Sequence, residues 1–178
     1  MKIEVSHVLP YPRERVWEVL LDPDVMARVL PGIEKFESLG DDKFAVVMKL
    51  GLPAVKGTYS GTVQIADQQL PSSYRLKGEG KGTGGWVKGE ATMTLLVEGP
   101  GTKIVAGGQA QVGGAIASLG QRMMDGVTKA MAKEFFESID REMQGRRERA
   151  SQGMFAFRTL LAMIRAFLER LFGRRAPS

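Results

Sequence analysis

The sequence predicts an α+β domain in which a curved, seven-stranded antiparallel sheet wraps around one long helix. Two observations predict this fold. Seven strand-like runs of alternating apolar and polar residues are separated by turn residues. After them, residues 114–144 carry apolar residues at intervals of three and four, the pattern of a helix with one buried stripe. With 178 residues and 43% hydrophobic content, the chain is long enough for one domain with an appendage.

The first predicted element is a strand over residues 3–9, in which apolar residues and His7 alternate with polar ones. Two short helices are expected next, because Asp22-Pro23 can end one helix and begin another. They cover residues 16–21 and 23–30, and six strands follow at residues 33–39, 43–51, 54–66, 73–80, 86–98 and 102–112. Glycines inside these strands fit the bends of a curved sheet: Gly57, Gly61, Gly78 and Gly80.

Strand alternation assigns an apolar set of side chains to the inner face of the sheet. These are Phe44, Val46, Met48, Val55, Tyr59, Val63, Ile65, Ala91, Met93, Leu95, Val97, Ile104, Ala106 and Ala110. The buried stripe of the long helix is assigned in the same way to Ile116, Leu119, Met123, Val127, Ala130, Met131, Phe135, Ile139 and Met143. The interior is therefore expected to be hydrophobic, with few groups able to perform chemistry.

Glycines lie before, inside and after the predicted long helix. Gly113-Gly114 precedes it, and Gly145 is expected to end it. Gly120 and Gly126 inside it each cost roughly 1 kcal/mol relative to alanine, so they are expected to admit a close neighbour, either strand backbone or a ligand.

Composition excludes several classes of site. The chain has no cysteine and one histidine, so disulfides, thiolate metal sites and a cysteine nucleophile are excluded, and no metal site or catalytic residue is assigned. Residues 1–144 carry 17 basic and 18 acidic residues, a formal charge of −1, whereas residues 145–178 carry eight arginines and two glutamates, a charge of +6. The basicity belongs to the tail, which argues against nucleic-acid binding. With no signal sequence visible, we expect a cytoplasmic protein.

The motifs in this order resemble those of a known family. They are Val16-Trp17, Asp22-Pro23, Leu30-Pro31-Gly32-Ile33-Glu34, Val55-Lys56-Gly57-Thr58-Tyr59, Val112-Gly113-Gly114 with Ala117, Gly120-Gln121-Arg122, and Phe135-Phe136. The order of elements is similar to the helix-grip fold of the START and birch-pollen-allergen superfamily (SRPBCC), and the motifs resemble the family of the carbon monoxide dehydrogenase G subunit (CoxG-like). The resemblance covers residues 1–144, the expected ligand-binding domain. It implies an accessory protein that binds an apolar molecule, such as menaquinone or ubiquinone, and connects a molybdenum hydroxylase with the membrane.

Candidate ligand-binding residues are those expected to face the gap between sheet and helix. They are His7, Phe44, Met48, Tyr59, Met93, Leu95, Ile116, Met123, Val127 and Met131. His7 either fills space beside a hydrogen-bonded neighbour or contacts the polar head of a ligand, and Tyr59 could make the same contact through its hydroxyl. Gln121 and Arg122 either anchor the helix or contact ligand.

The glycine-rich stretch at residues 78–85 is not a phosphate-binding loop, because Lys81 is followed by Gly82 and the next element is a strand. A mobile hairpin loop near the cavity mouth, with Trp86 at its edge, is expected instead.

The tail divides into a basic linker, residues 145–152, and an amphipathic helix, residues 153–178. An apolar face and arginines suit a helix lying on an anionic membrane surface, at the inner face of the cell membrane. The residues assigned to that contact are Arg158, Leu161, Ile164, Arg165, Phe167, Leu168, Arg170, Leu171 and Phe172. The alternative is that this helix packs on the domain or on a partner protein.

Three functions remain open at this point. The first is a non-enzymatic carrier of an apolar ligand that links the enzyme to the membrane. The second is a recruitment or assembly factor for that enzyme, without ligand transfer. The third is a cavity enzyme of cyclase or hydrolase type using His7 or Tyr59, for which the sequence supplies few partner residues.

Overall fold

A computed structural model describes the backbone of residues 1–172, together with their side chains except those of Ala54 and residues 147–172. The chain divides into two compact units, Met1–Asp140 and Arg141–Ser178. The sheet, the short helices and the site all belong to the first unit.

The first unit contains one seven-stranded sheet in which every neighbouring pair of strands is antiparallel, in the order β1-β7-β6-β5-β4-β3-β2. The predicted α+β class is confirmed. The strands are β1 Lys2–Leu9, β2 Ile33–Gly40, β3 Lys43–Leu50, β4 Gly57–Gln69, β5 Ser73–Gly82, β6 Gly85–Glu98 and β7 Gly101–Gly113. The α-helices are α1 Arg13–Leu20, α2 Pro23–Val29 and α3 Gly120–Phe172.

The connection from α2 into the sheet follows from local sequence chemistry. The Asp22 carboxylate caps α2 by accepting from the backbone N–H groups of Asp24, at 3.0 Å, and Val25, at 3.2 Å. Pro23 fits the first helical turn because it has no N–H to satisfy. Gly32 then turns the chain with a φ of 69°, and a Cβ there would overlap the Lys49 carbonyl. The Leu30-Pro31-Gly32 corner is therefore specified by its glycine.

The strand glycines contribute unequally to sheet curvature. A Cβ on Gly61 would overlap the Glu79 carbonyl of the adjacent strand, so this position requires the close approach that glycine permits. At Gly78 and Gly80 the nearest atoms would lie 3.7 Å and 3.5 Å away. A methyl group fits there, so steric crowding explains Gly61 but not these two.

The packed core lies where α1 contacts β6 and β7. Trp17 meets Tyr74 edge-on, with ring centroids 5.5 Å apart. The Thr102 hydroxyl donates to the Tyr11 carbonyl at 2.8 Å, and the Tyr11 hydroxyl is 2.9 Å from an Asp140 carboxylate oxygen. The most deeply buried side chains in this unit are Leu9, Val16, Val25, Leu95, Thr102, Ile104 and Ile139.

The long helix differs from the prediction at both ends. Residues Gly114–Leu119 form a 3₁₀ segment, and the α-helix begins only at Gly120, whose φ of 71° interrupts the helical path. Gly145 does not end the helix, which runs on to Phe172 as one element. A helix interior tolerates glycine at a cost of about 1 kcal/mol, so glycine alone does not stop a helix.

Three smaller expectations are also corrected. Val97, near the end of β6, was assigned to the inner face but is 65% exposed. Val55 is buried as expected, but in a short 3₁₀ turn, Pro53–Val55, that precedes β4. A Cβ on Gly126 would meet nothing within 4 Å among the described residues, so this glycine admits no close neighbour.

The predicted membrane-contact side chains, Arg158, Leu161, Ile164, Arg165, Phe167, Leu168, Arg170, Leu171 and Phe172, lie outside the described side chains. Among the residues that the structure describes, no helix has the length and hydropathy needed to cross a bilayer.

Candidate functional site

A cavity of about 470 Å³ lies within the first unit, between the sheet and the N-terminal part of α3. Its walls are almost entirely apolar. The side chains include Ile3 from β1, Val46, Met48 and Leu50 from β3, Tyr59 and Val63 from β4, Leu76 from β5, Val87 and Ala91 from β6, Ala110 and Val112 from β7, Ile116 from the 3₁₀ segment, and Met124, Val127, Thr128 and Met131 from α3.

The size of the inward residues explains why the cavity lies at one end of the sheet. Along β5 the inward positions run from Tyr74 through Leu76 to glycine at 78 and 80. Along β6, paired with it, they run from Leu95 and Met93 to Ala91 and Gly89. Large side chains at one end fill the interior, whereas alanine and glycine at the other leave a space that α3 covers.

Half of the ten predicted ligand-binding residues line this cavity: Met48, Tyr59, Ile116, Val127 and Met131. Three others are buried outside it. Phe44 stacks on Phe36, with centroids 4.8 Å apart, while Met93 and Leu95 belong to the packed core.

The sequence pattern placed Met123 on the buried stripe of the long helix, and this prediction is wrong. It is 52% exposed, and Met124 lines the cavity instead. The same one-residue shift makes Phe136, rather than Phe135, the buried phenylalanine. Met123 lies four and Met124 three residues before Val127, and Phe135 lies four and Phe136 three residues before Ile139. Helical spacing therefore admits either member of each pair, and packing decides between them.

His7 points inward but does not line the cavity. Its ring stacks on Phe136 with centroids 4.7 Å apart and planes 6° from parallel. This contact supports the space-filling interpretation over contact with a ligand head group.

Gln121 anchors the start of α3 to the sheet. Its side-chain amide donates to the Lys2 carbonyl at 3.0 Å and to the Asp125 carboxylate at 2.6 Å, while its oxygen accepts from the Lys2 N–H at 3.3 Å. The amide thus bonds the backbone of β1 much as a neighbouring strand would. Arg122 is exposed. Of the two interpretations, anchoring fits the geometry of Gln121.

The first part of the glycine-rich stretch belongs to β5, which ends at Gly82, and a short turn then leads into β6 at Gly85. The tip of this hairpin packs against the Gly113-Gly114 motif so closely that a Cβ on Gly85 would overlap the Gly113 carbonyl. The Ile116 N–H donates to the Gly84 carbonyl at 2.9 Å and holds the tip in place. The glycine-rich stretch and the Gly113-Gly114 pair were both noted in the sequence, but nothing in the sequence predicted their contact.

Tyr59 lies beneath this tip. The residue is 8% exposed, and its hydroxyl oxygen is buried with no hydrogen-bond partner among the described residues. A Cβ on Gly84 would be 2.5 Å from this oxygen and 3.2 Å from Ile116 Cγ1. The hydroxyl is thus enclosed by the hairpin tip and the 3₁₀ segment, at the wall of the cavity.

The charges around the cavity are few. No lysine, arginine or histidine is among the described residues that line it. Its two carboxylates, Glu79 and Glu90, belong to exposed residues. Among the described residues, no group of three or more histidine, cysteine, aspartate or glutamate side chains could hold a metal ion.

Comparisons with known proteins agree with this architecture. The family model of the carbon monoxide dehydrogenase G subunit (CoxG) matches residues 6–144. A conserved protein from Geobacillus kaustophilus is 32% identical in sequence, with a TM-score of 0.78 over 82% of this chain and 96% of that one. No curated protein matches the sequence.

More distant structures share the fold. The Zhui aromatase/cyclase from Streptomyces sp. R1128 is 15% identical, with a TM-score of 0.61 over 82% of this chain and 94% of that one. Ara h 8.0201 is 16% identical, with a TM-score of 0.58 over 82% and 98% of the two chains. These likenesses establish the helix-grip fold expected from the sequence motifs.

Proposed function

The chain belongs to the CoxG family, that of the carbon monoxide dehydrogenase G subunit, and on that premise we propose that it is a non-enzymatic carrier of an apolar small molecule. The ligand would be a quinone or another isoprenoid lipid, such as menaquinone or ubiquinone. The carrier would link a molybdenum hydroxylase of the carbon monoxide dehydrogenase type to the membrane.

The observation that carries this proposal is the apolar cavity of about 470 Å³ beneath α3. Its volume falls within the range of about 300–1,000 Å³ typical of small-molecule pockets. Burial of apolar ligand surface supplies about 25 cal/mol per Å², enough to extract a hydrophobic molecule from water.

The absence of an acid–base pair in the described lining supports a carrier over an enzyme. His7 is stacked on Phe136 outside the cavity, and the carboxylate-bearing residues of the lining are exposed. General acid–base catalysis requires a titratable group within about 2.6–3.2 Å of the reacting atom. Tyr59 has no described hydrogen-bond partner that could act as its base.

Mass spectrometry of organic extracts tests the carrier function. The full chain, purified without detergent, should carry a near-stoichiometric apolar molecule. Val127→Trp places an indole in the cavity and should lose the molecule. Ala130 was assigned to the buried stripe but is exposed, so Ala130→Trp makes a matching change on the outside of the same helix and should retain the molecule. An empty wild-type extract would refute the carrier, and equal retention by Val127→Trp would place the ligand elsewhere.

Membrane association is proposed from the sequence of the tail, where an apolar face and eight arginines after residue 144 favour anionic lipid. Co-sedimentation of the full chain with phosphatidylglycerol vesicles should exceed that with phosphatidylcholine vesicles. Leu168→Glu should weaken it more than Ala162→Glu, which adds the same charge on the opposite face. Equal effects of the two substitutions would contradict a surface-lying helix.

The link to the enzyme can be tested by affinity purification from the source cells. A molybdenum hydroxylase should co-purify with the tagged full chain. Its absence from cells that express both proteins would remove the proposed partner while leaving the carrier function intact.

A further inference from the structure

The outer face of the sheet, on the side away from the cavity, carries a groove of about 530 Å³. Its side chains alternate along the strands with those of the cavity and are mostly polar. They include three lysines and three glutamines: Lys43, Lys77, Lys88, Gln64, Gln109 and Gln111. In the strand register, Gln64 lies opposite Lys43 on one side and Lys77 on the other, so these residues form a row across β3, β4 and β5. The sheet thus separates an apolar site from a polar one.

Positive charge predominates on this outer face. Lys81 follows Lys77 two residues along β5 and lies on the same side, which gives four lysines on or beside the groove. Two glutamates accompany them: Glu79 lies 3.6 Å from Lys88, and Glu90 is opposite Lys77 in register. The lysines that form no ion pair among the described residues are Lys43, Lys77 and Lys81. The face has an excess of two positive charges, although residues 1–144 have a formal charge of −1, so it favours an anionic partner.

An exposed tryptophan lies at the end of this polar face. Trp86 is 46% exposed, whereas Trp17, the second tryptophan of the chain, is buried. The neighbours of Trp86 in register are Lys81 on β5 and Gly113 on β7. A Cβ on Gly113 would overlap the indole, so the ring lies across β7 against bare backbone. The indole is therefore held in place before a partner binds, and it offers apolar surface beside a lysine.

The shape and chemistry of this face favour a peptide over a membrane or a nucleic acid. A bilayer takes up apolar side chains that project from a protein, whereas this indole lies along the sheet and its surroundings are polar. An excess of two charges is small for a nucleic-acid backbone, which carries one charge at every phosphate. Each glutamine amide in the groove can donate and accept, which suits the N–H and C=O groups of an extended peptide. Tryptophan is also enriched among the residues that contribute most to protein interfaces.

We propose that this face binds an acidic peptide segment of a partner protein. Carboxylates of the segment pair with Lys43, Lys77 and Lys81, its backbone bonds the glutamine amides, and an apolar side chain beside the carboxylates packs on Trp86. The groove lies on the opposite side of the sheet from the cavity, so this inference goes beyond the carrier function and does not depend on it.

Nuclear magnetic resonance titration of the full chain tests the proposal, with the indole N–H signal of Trp86 as a local readout. The chain has two tryptophans, so Trp86→Phe identifies this signal. The probe is a peptide of repeated Glu-Glu-Leu units, which at millimolar concentration should shift the Trp86 signal and leave that of Trp17 in place. A Lys-Lys-Leu peptide should shift neither. A Glu-Glu-Ser peptide should bind about 5-fold more weakly, the effect of leaving about 40 Å² of apolar surface in water.

Two matched double variants locate the binding site. Lys77→Gln combined with Lys81→Gln should weaken binding of the Glu-Glu-Leu peptide about 2- to 30-fold, the range expected for two exposed ion pairs. Lys129→Gln combined with Lys133→Gln removes two exposed lysines from α3 and should leave the affinity unchanged.

Three results would overturn the proposal. One is an unchanged Trp86 signal at millimolar acidic peptide, and another is equal weakening by the two double variants. The third is a shift of the Trp86 signal by phosphatidylglycerol vesicles or a single-stranded oligonucleotide but not by the acidic peptide, which would assign the face to lipid or nucleic acid instead.

Discussion

Two leucines on neighbouring strands allow the boundary between packed core and cavity to be measured. Leu95 on β6 is 0% exposed and lies in the core, whereas Leu76 on β5 is half-buried and lines the cavity. Both point to the same side of the sheet. Leu95→Ala and Leu76→Ala therefore make the same chemical change in two environments.

The two substitutions should differ in cost. Truncating Leu95 removes buried methyl groups and leaves a new void, so it should destabilise the protein by about 3–5 kcal/mol. Truncating Leu76 enlarges a space that already exists, so the cost of creating a void is largely absent and about 1–2 kcal/mol is expected from lost burial alone. The two losses of stability should therefore differ by at least about 1 kcal/mol. For a chain of this length, that corresponds to melting temperatures that differ by roughly 2–4 °C or more.

Urea unfolding of the ligand-free full chain, followed by tryptophan fluorescence to which buried Trp17 contributes, measures both values. The slope of the unfolding free energy against urea concentration should be the same in both variants, so that their unfolding midpoints can be compared directly. Equal losses from the two substitutions would mean that Leu76 is packed as tightly as Leu95. In that case the cavity would not exist in solution, and the account of ligand binding would fail with it.

The remaining predictions concern individual structural features and are measured by the same unfolding assay. Asp22→Ala should cost about 0.5–2 kcal/mol because α2 loses its side-chain cap. Gln121→Ala should cost about 0.5–1.5 kcal/mol through its contacts with β1, whereas exposed Arg122→Ala should be neutral; equal effects would refute the anchoring role. Gly126→Ala should stabilise the helix by up to about 1 kcal/mol, and a loss of stability would show that a neighbour needs that glycine. Gly114→Ala should be strongly destabilising, because φ is 77° and the new methyl would meet Gly85; wild-type stability would show that the hairpin contact is loose.

The gradient of side-chain size along β5 and β6 connects stability with function. The same two strands supply Tyr74 and Leu95 to a dense core and glycine or alanine to the cavity. The core holds α1 against β6 and β7, so the cavity end can remain empty without collapse of the sheet. A carrier needs this separation, because a ligand site filled by its own side chains would bind nothing.

Much of the fold could be predicted from local patterns. Strand alternation placed Tyr59, Met48 and Ile104 on the inner face, since successive side chains of a strand must point to opposite sides. Asp22-Pro23 and the Leu30-Pro31-Gly32 corner predicted two turns, because capping and turn formation depend on neighbouring residues in the chain. The order of the elements predicted the helix-grip arrangement, and the match to the CoxG family agrees with it.

The candidate site was predicted only in part. Met48, Tyr59, Ile116, Val127 and Met131 line the cavity as expected from their periodicity. The side chains of Phe44, Met93 and Leu95 also point to the inner face of the sheet, but they do not reach the cavity. The face to which a side chain points is set within its own strand, whereas its distance from the cavity depends on the elements that pack over the sheet. Sequence periodicity does not show where along the sheet the cavity lies.

The sequence by itself determined the order of the elements and the inward face of each strand, because each depends on residues close together in the chain. Its lack of cysteine excluded thiol chemistry. Tertiary structure decided the rest. Packing of α3 over the sheet placed Met124, rather than its neighbour Met123, in the cavity wall. Contact between the Gly84-Gly85 tip and Gly113-Gly114 enclosed the Tyr59 hydroxyl. Both depend on surfaces that meet only after the chain has folded.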